Sequence, residues 1–226
     1  MMNTQHIYNI IVAAGSGSRF GANLPKQYCL LNARPVLMHT IDNMREAMPH
    51  SHIILVLNKD FVEYWNELCG EYSFESPMVV TGGDTRWQSV KNAIDEIPAE
   101  AQVITVHDGA RPIVDPMMVE RLIDALNNAP GAIPVVSVTD SLRQVNGNGS
   151  VPVDRSQFKA VQTPQAFHAD KLKEAYSLPY SITFTDDASV MAAMGYDVVL
   201  VEGDIYNIKI THPLDIEIAQ LYLRQR

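Results

Sequence analysis

The chain has 226 residues, of which 46% are hydrophobic, and a formal net charge of −9. Apolar content on that scale supplies a substantial core and excludes a disordered chain. The acidic balance excludes non-specific nucleic-acid binding, so an anionic ligand must be met by local groupings of the 17 basic residues. Two cysteines, Cys29 and Cys69, are too few for a disulfide scaffold and suit a reducing cytoplasm. The polar start, Met1 to His6, lacks a signal-peptide pattern, and no apolar run approaches the ~20 residues of a membrane span. The expectation is a cytoplasmic protein with neither a membrane nor a nucleic-acid partner.

The apolar run Ile7 to Val12 reads as a buried parallel strand. It enters a loop rich in small residues, Ala13-Ala14-Gly15-Ser16-Gly17-Ser18-Arg19-Phe20-Gly21, which continues to Pro25-Lys26-Gln27-Tyr28. Pro35 to Met48 then carries apolar residues on a helical face, and His52 to Leu57 is a second strand. Phe61, Tyr64, Trp65 and Leu68 mark a short helix, and Met78 to Thr81 a third strand. A helix with Val90, Ala93, Ile94 and Ile97 on one side precedes a fourth strand, Gln102 to Val106. Asp115 and Pro116 form an N-cap and first-turn pair for a helix through Leu126, before a fifth strand at Ala132 to Val138.

Between Thr139 and Phe158 the alternation breaks. Asn146-Gly147-Asn148-Gly149 is a turn signal between two polar, alternating stretches, which read as a projecting arm or a solvated surface loop. Helices follow at Asp170 to Ser177 and at Asp187 to Met194, the second with Thr185 and Asp186 as capping candidates. Val198 to Val201 is a strand, and Pro213 to Leu223 a terminal helix with Leu214, Ile218, Leu221 and Tyr222 towards the core. The fold class expected is α/β, Rossmann-like, with a mostly parallel sheet, helices on both faces and a projecting β-arm at about 139–158. No repeat or linker divides residues 1–226, so a single domain is expected.

In such a sheet ligands bind beyond the carboxyl ends of the strands, where three clusters fall. The Gly15–Gly17 loop can point backbone N–H groups at anions, and Arg19 and Lys26 add positive charge, which together suit a polyphosphate. It is not a dinucleotide fingerprint, because Phe20 stands where the third glycine belongs. Nor is it a P-loop, because Lys26 follows Pro25. Asp108, ending the fourth strand opposite this loop, suits Mg²⁺ shared with phosphate oxygens, or else Asp108-Gly109 is simply a turn; Arg111 favours a polar site. Gly82-Gly83-Asp84 with Ser89 makes either a pocket for a flat ring or a turn capped by Asp84. None of the seven histidines has zinc-like spacing, and His107 reads as a packed neighbour.

Gly-x-Gly-x-Arg-x-Gly followed by Pro-Lys-Gln-Tyr resembles the signature loop of nucleotidyltransferases that activate sugar and polyol phosphates. It is most similar to the methylerythritol phosphate cytidylyltransferases of the non-mevalonate isoprenoid pathway, and the ribitol-5-phosphate cytidylyltransferases share much of it. The similarity continues through Val153-Asp154-Arg155, Gln162 to Phe167, Thr185 to Ser189 and Asn207 to Thr211. His212-Pro213-Leu214-Asp215 departs from the Arg-Pro-Glu-Asp of some members. The resemblance implies CTP and a polyol phosphate as substrates and Mg²⁺ as cofactor. It further implies base reading by Ala13, Ala14, Gly83, Asp84 and Ser89, and phosphate or acceptor contacts from Arg155, Thr163 and Lys209, with Thr139 nearby. A homodimer joined by the arm, with Arg155 acting in the neighbouring subunit, is implied as well.

Overall fold

The computed structural model describes residues 6–15 and 24–225. Gly17 and Arg19, expected in the phosphate loop, lie outside the described residues. The first strand, β1 (Ile7–Ala13), is followed beyond the loop by a 3-10 turn at Lys26–Tyr28 and two short paired strands, β2 (Leu30–Leu31) and β3 (Arg34–Pro35). Then come α1 (Val36–Ala47), β4 (His52–Leu57), α2 (Val62–Glu71), β5 (Met78–Thr81), α3 (Arg86–Asp95), β6 (Val103–Asp108) and α4 (Pro116–Ala125). After β7 (Gly131–Ser137) the chain makes a hairpin of β8 (Leu142–Asn146) and β9 (Gly149–Val153), and returns through β10 (Lys159–Val161) and β11 (Gln165–His168). The last elements are α5 (Ala169–Ala175), α6 (Asp187–Ala193), β12 (Val199–Glu202) and α7 (Leu214–Leu223).

The main sheet has the order β10-β7-β11-β6-β1-β4-β5, with β12 also paired to β7. It is mostly parallel, as expected for a Rossmann-like α/β fold; only β10 and β11 run against their neighbours. Those two strands, which carry few residues and little periodicity, are legible only afterwards. Because β1 is covered on both sides, successive residues point into different cores. Ile11 joins Leu37, Met38 and Ile41 of α1 and Met118 and Leu122 of α4, while Ile10 joins Val90 and Ile94 of α3, Leu172 of α5 and Met191 of α6. Burying each such side chain contributes roughly 1.5–3 kcal/mol.

Short polar residues set where the helices begin. The side chains of Thr85 and Asp115 accept N–H bonds at the starts of α3 and α4, and Asp186 with Ser189 forms a capping box at α6. Among the described residues the polar hairpin β8–β9 pairs only with itself, and Gly147 turns it with φ +57°, in the left-handed region. One expectation needs correction. In α7 the buried residue is Ala219, with Ile216, Tyr222 and Leu223 against the small core of Leu31, Val36, Ile113 and Ile210, whereas Leu214 and Leu221 are exposed. The segment Leu-Asp-Ile-Glu-Ile-Ala-Gln-Leu-Tyr-Leu is apolar on more than one face, so its period does not choose between them. Among the described residues no helix is long and apolar enough to cross a membrane.

Candidate active site

Strand register builds the site. Val12 stands beside Asp108, Ala13 beside Leu57, and Leu57 beside Thr81, so four parallel strands end together. The segments that follow them surround a cleft of about 560 Å³ lined by Ala13, Ala14, Gly15, Lys26, Gln27, Gly83, Asp84, Arg86, Ser89, Asp108 and Lys209, among others. Gln27, itself buried, donates to the carbonyls of Ala13 (2.8 Å) and Gly15 (3.1 Å). These bonds tie the Pro25–Tyr28 turn to the end of β1, and Tyr28 is sunk in the core beside Phe61 and Tyr64. Lys26 is therefore carried on backbone anchored by the two residues that follow it, Gln27 and Tyr28.

The wall expected to read a base is closely packed. Ser89 Oγ accepts the Gly83 N–H (3.1 Å) and donates to the Thr85 carbonyl (2.9 Å). Thr85, not Asp84, caps the helix, which leaves the exposed Asp84 at the cleft. A Cβ on Gly82 would lie 2.5 Å from the Ala14 Cβ and 2.9 Å from Ser89 Oγ. Since Ala14 has no rotamer to yield, Gly82→Ala must push the two backbones apart. We expect it to cost about 1–3 kcal/mol in denaturant unfolding; an unchanged midpoint would contradict this packing.

Asp108 is the electrostatic centre. Its Oδ2 meets Lys209 Nζ at 2.8 Å and Arg111 Nε at 3.4 Å, and Arg86 Nε lies 4.0 Å from Oδ1. Burial alone would raise its carboxyl, but Lys209, Arg86 and Arg111 outweigh burial and hold it well below the usual carboxylate range. The site thus keeps a carboxylate at any physiological pH.

Behind Asp108 lies a chain of committed hydrogen bonds. The Thr163 hydroxyl accepts the Asp108 N–H (3.0 Å) and donates to His107 Nδ1 (3.0 Å), while His107 Nε2–H donates to the Arg111 carbonyl (3.0 Å). The carbonyl partner assigns the proton to Nε2. Full burial, only partly offset by that carbonyl, pushes His107 down to about 4, so the ring stays neutral. Arg111 also donates to the Asn207 carbonyl (2.7 Å), and Asn207 Nδ2 donates to the Thr163 carbonyl (2.8 Å). Arg111 and Thr163 are thus buried buttresses of Asp108 and of the segment carrying Lys209.

Thr139 and Arg155 are not in this cleft. They line a second recess of about 550 Å³ at the root of the hairpin, with Ser137, Ser156, Phe158 and Lys159, and Arg155 donates to the Thr139 carbonyl. Within one chain the expected residues therefore form two groups.

A family model described as IspD: 2-C-methyl-D-erythritol 4-phosphate cytidylyltransferase matches residues 7–225. The chain belongs to this family. Two curated members are 43% identical over 215 residues (Bacteroides thetaiotaomicron; 95% of this chain, 98% of the relative) and 44% identical over 222 residues (Porphyromonas gingivalis; 97% and 98%). Both are named 2-C-methyl-D-erythritol 4-phosphate cytidylyltransferase. A crystal structure of 4-diphosphocytidyl-2C-methyl-D-erythritol synthase from Anaerococcus prevotii superposes with a TM-score of 0.80 at 27% identity, covering 97% of this chain and 98% of that one. The Francisella tularensis cytidylyltransferase superposes with a TM-score of 0.78 at 29% identity, covering 96% and 99%.

Two cleft features of this cytidylyltransferase chain were not singled out by sequence. Gln27 carried a signal, since it stands inside the Pro-Lys-Gln-Tyr motif. Arg86 closes the Gly82-Gly83-Asp84-Thr85-Arg86 cluster that follows the third strand, but nothing there gave it a role, because an arginine opening a helix reads as an ordinary surface residue until Asp187 and Asp108 are found beside it.

Proposed function

We propose that the protein transfers the cytidylyl group of CTP to 2-C-methyl-D-erythritol 4-phosphate, releasing pyrophosphate, in the non-mevalonate route to isoprenoids. The observation that supports this most is the cleft itself, where Lys26, Lys209 and Asp108 converge at the carboxyl ends of parallel strands beside the Ala13–Gly15 loop. Its two free cysteines suit the cytoplasm as the place of work.

In this reading a phosphate oxygen of the acceptor attacks the α-phosphorus of CTP in line. A new P–O bond forms as the bond from the α-phosphorus to the bridging oxygen breaks, and that electron pair leaves with pyrophosphate. A phosphate monoester has a second pKa near ~6, so the nucleophile is already largely a dianion and no general base is needed. What the protein must supply is charge. Arg19 and Lys26 stabilise the α-phosphate and leaving group in the transition state, and Gly15 and Gly17 offer backbone N–H groups to the triphosphate. Ala13, Ala14, Gly83, Asp84 and Ser89 hold the base. Lys209 meets nucleotide or acceptor phosphate beside Asp108, and Arg111 and Thr163 keep Asp108 in place for the acceptor.

For Mg²⁺, the residues present fit a site completed by substrate. Among the described residues no group of three or more His, Cys, Asp or Glu is placed to hold a metal. Among the described residues, however, the one charged group recorded beside Asp108 Oδ1 is Arg86 at 4.0 Å, which leaves room for an ion that also takes phosphate oxygens and water. Bound there, Mg²⁺ would offset the repulsion between the two phosphates. Pyrophosphate should appear only when CTP and acceptor are both present, stop in EDTA and resume with excess Mg²⁺. Release without acceptor would refute the transfer, and undiminished turnover in EDTA would refute the metal.

Thr139 and Arg155 complete the cleft of a second subunit in this proposal. Support comes from their separation from Lys26 and from the apolar side chains Val145, Val151 and Phe158, exposed on and beside an otherwise polar hairpin.

A further inference from the structure

Asp187 is a carboxylate with 0% exposure at the first turn of α6, where the neighbouring Asp186 already provides the cap. Both of its oxygens are used by one arginine from a distant helix: Arg86 Nη1 at 3.1 Å and Nη2 at 2.6 Å. Tyr176 at the end of α5, also buried, donates its hydroxyl at 2.6 Å, and Trp87 stacks on the Tyr176 ring. Burial opposes the Arg86 charge, but Asp187 and then Asp108 outweigh it, so the guanidinium stays protonated. A buried ion pair is a poor way to join three helices, since apolar residues of the same volume generally do as well or better.

What the pair achieves is placement. The fork to Asp187 uses two of the five guanidinium N–H groups and leaves three. Arg86 remains 31% exposed at its side chain, lines the cleft, and sets Nε 4.0 Å from Asp108. We propose that Arg86 is a further ligand for phosphate oxygens in the cleft, and that Asp187, with Tyr176, is the positioning residue that aims it. A planar, permanently charged fork held rigidly is the donor best matched to phosphate. The inference rests on the cytidylyl-transfer reading, and the phosphate could belong to CTP or to the acceptor.

The test compares wild type, Arg86→Gln, Asp187→Asn, Tyr176→Phe and the double variant Arg86→Gln/Asp187→Asn. CTP and acceptor are varied separately, and denaturant midpoints are measured alongside. Arg86→Gln strands a buried carboxylate and should lose stability as well as activity; the double variant removes both charges and should regain the midpoint. Its kcat/KM should nevertheless stay about 10²-fold below wild type. Asp187→Asn should cost about tenfold and add nothing once Arg86 is gone. Tyr176→Phe should move the same KM by a few-fold. A rise confined to the KM of CTP assigns the triphosphate, and one confined to the acceptor assigns its phosphate.

Activity returning to near wild type with stability in the double variant would overturn the proposal and leave the pair a structural one. So would separate losses that multiply in the double variant. Wild-type protein that releases no pyrophosphate refutes the transfer reading, and this inference with it. Active wild type with an unimpaired double variant refutes this inference alone.

Discussion

Lys26→Ala should lower kcat by about 10²–10³, the cost of removing one preorganised donor from a developing charge. That corresponds to roughly 2.7–4 kcal/mol of transition-state stabilisation. The size of the loss depends on how the lysine is held. Pro25 precedes it, Gln27 is bonded to the Ala13 and Gly15 carbonyls, and Tyr28 is buried, so little reorganisation is needed when charge builds up. For the same reason KM for CTP should change less than kcat, because the gain is concentrated in the transition state. Steady-state kinetics with both substrates varied decide it. Turnover near wild type would remove Lys26 from the chemistry.

Mixing two impaired chains should restore activity. Arg155→Ala leaves its own Lys26 cleft sound, whereas Lys26→Ala still supplies Arg155. If a two-fold dimer shares these groups, the mixed dimer has one site lacking both and one lacking neither. Random exchange of equal amounts makes half the dimers mixed, each with one good site of two, so about a quarter of wild-type activity should return. The recess at the hairpin root, apart from the main cleft, motivates this expectation. With subunit exchange demonstrated and no activity regained, Arg155 does not act across the interface.

The sequence was most legible where one residue type does one job. Buried β-branched runs marked β1, β4, β5, β6 and β7, and Asp115-Pro116 marked the start of α4, because burial and capping leave local patterns. The convergence of Asp108, Gly83 and Gly15 followed from strands ending together. Less was legible where partners are distant in the chain. Thr163 gave no sign that its hydroxyl hydrogen is committed to His107, 56 residues away, nor Asp187 that it holds Arg86, 101 residues away. Those assignments need the strand order, which periodicity does not fix. In α7 the pattern itself was ambiguous, and the shape of the core chose Ala219 over Leu214 and Leu221.

One side-by-side assay identifies the acceptor. Pyrophosphate release is followed with CTP and Mg²⁺, supplying either 2-C-methyl-D-erythritol 4-phosphate or ribitol 5-phosphate. Both acceptors offer the same phosphate dianion to the same cleft, so only the polyol distinguishes them. We expect efficient turnover with methylerythritol phosphate and a kcat/KM at least a hundredfold lower with ribitol phosphate, about 2.7 kcal/mol of discrimination. Equal or better turnover with ribitol phosphate would contradict it.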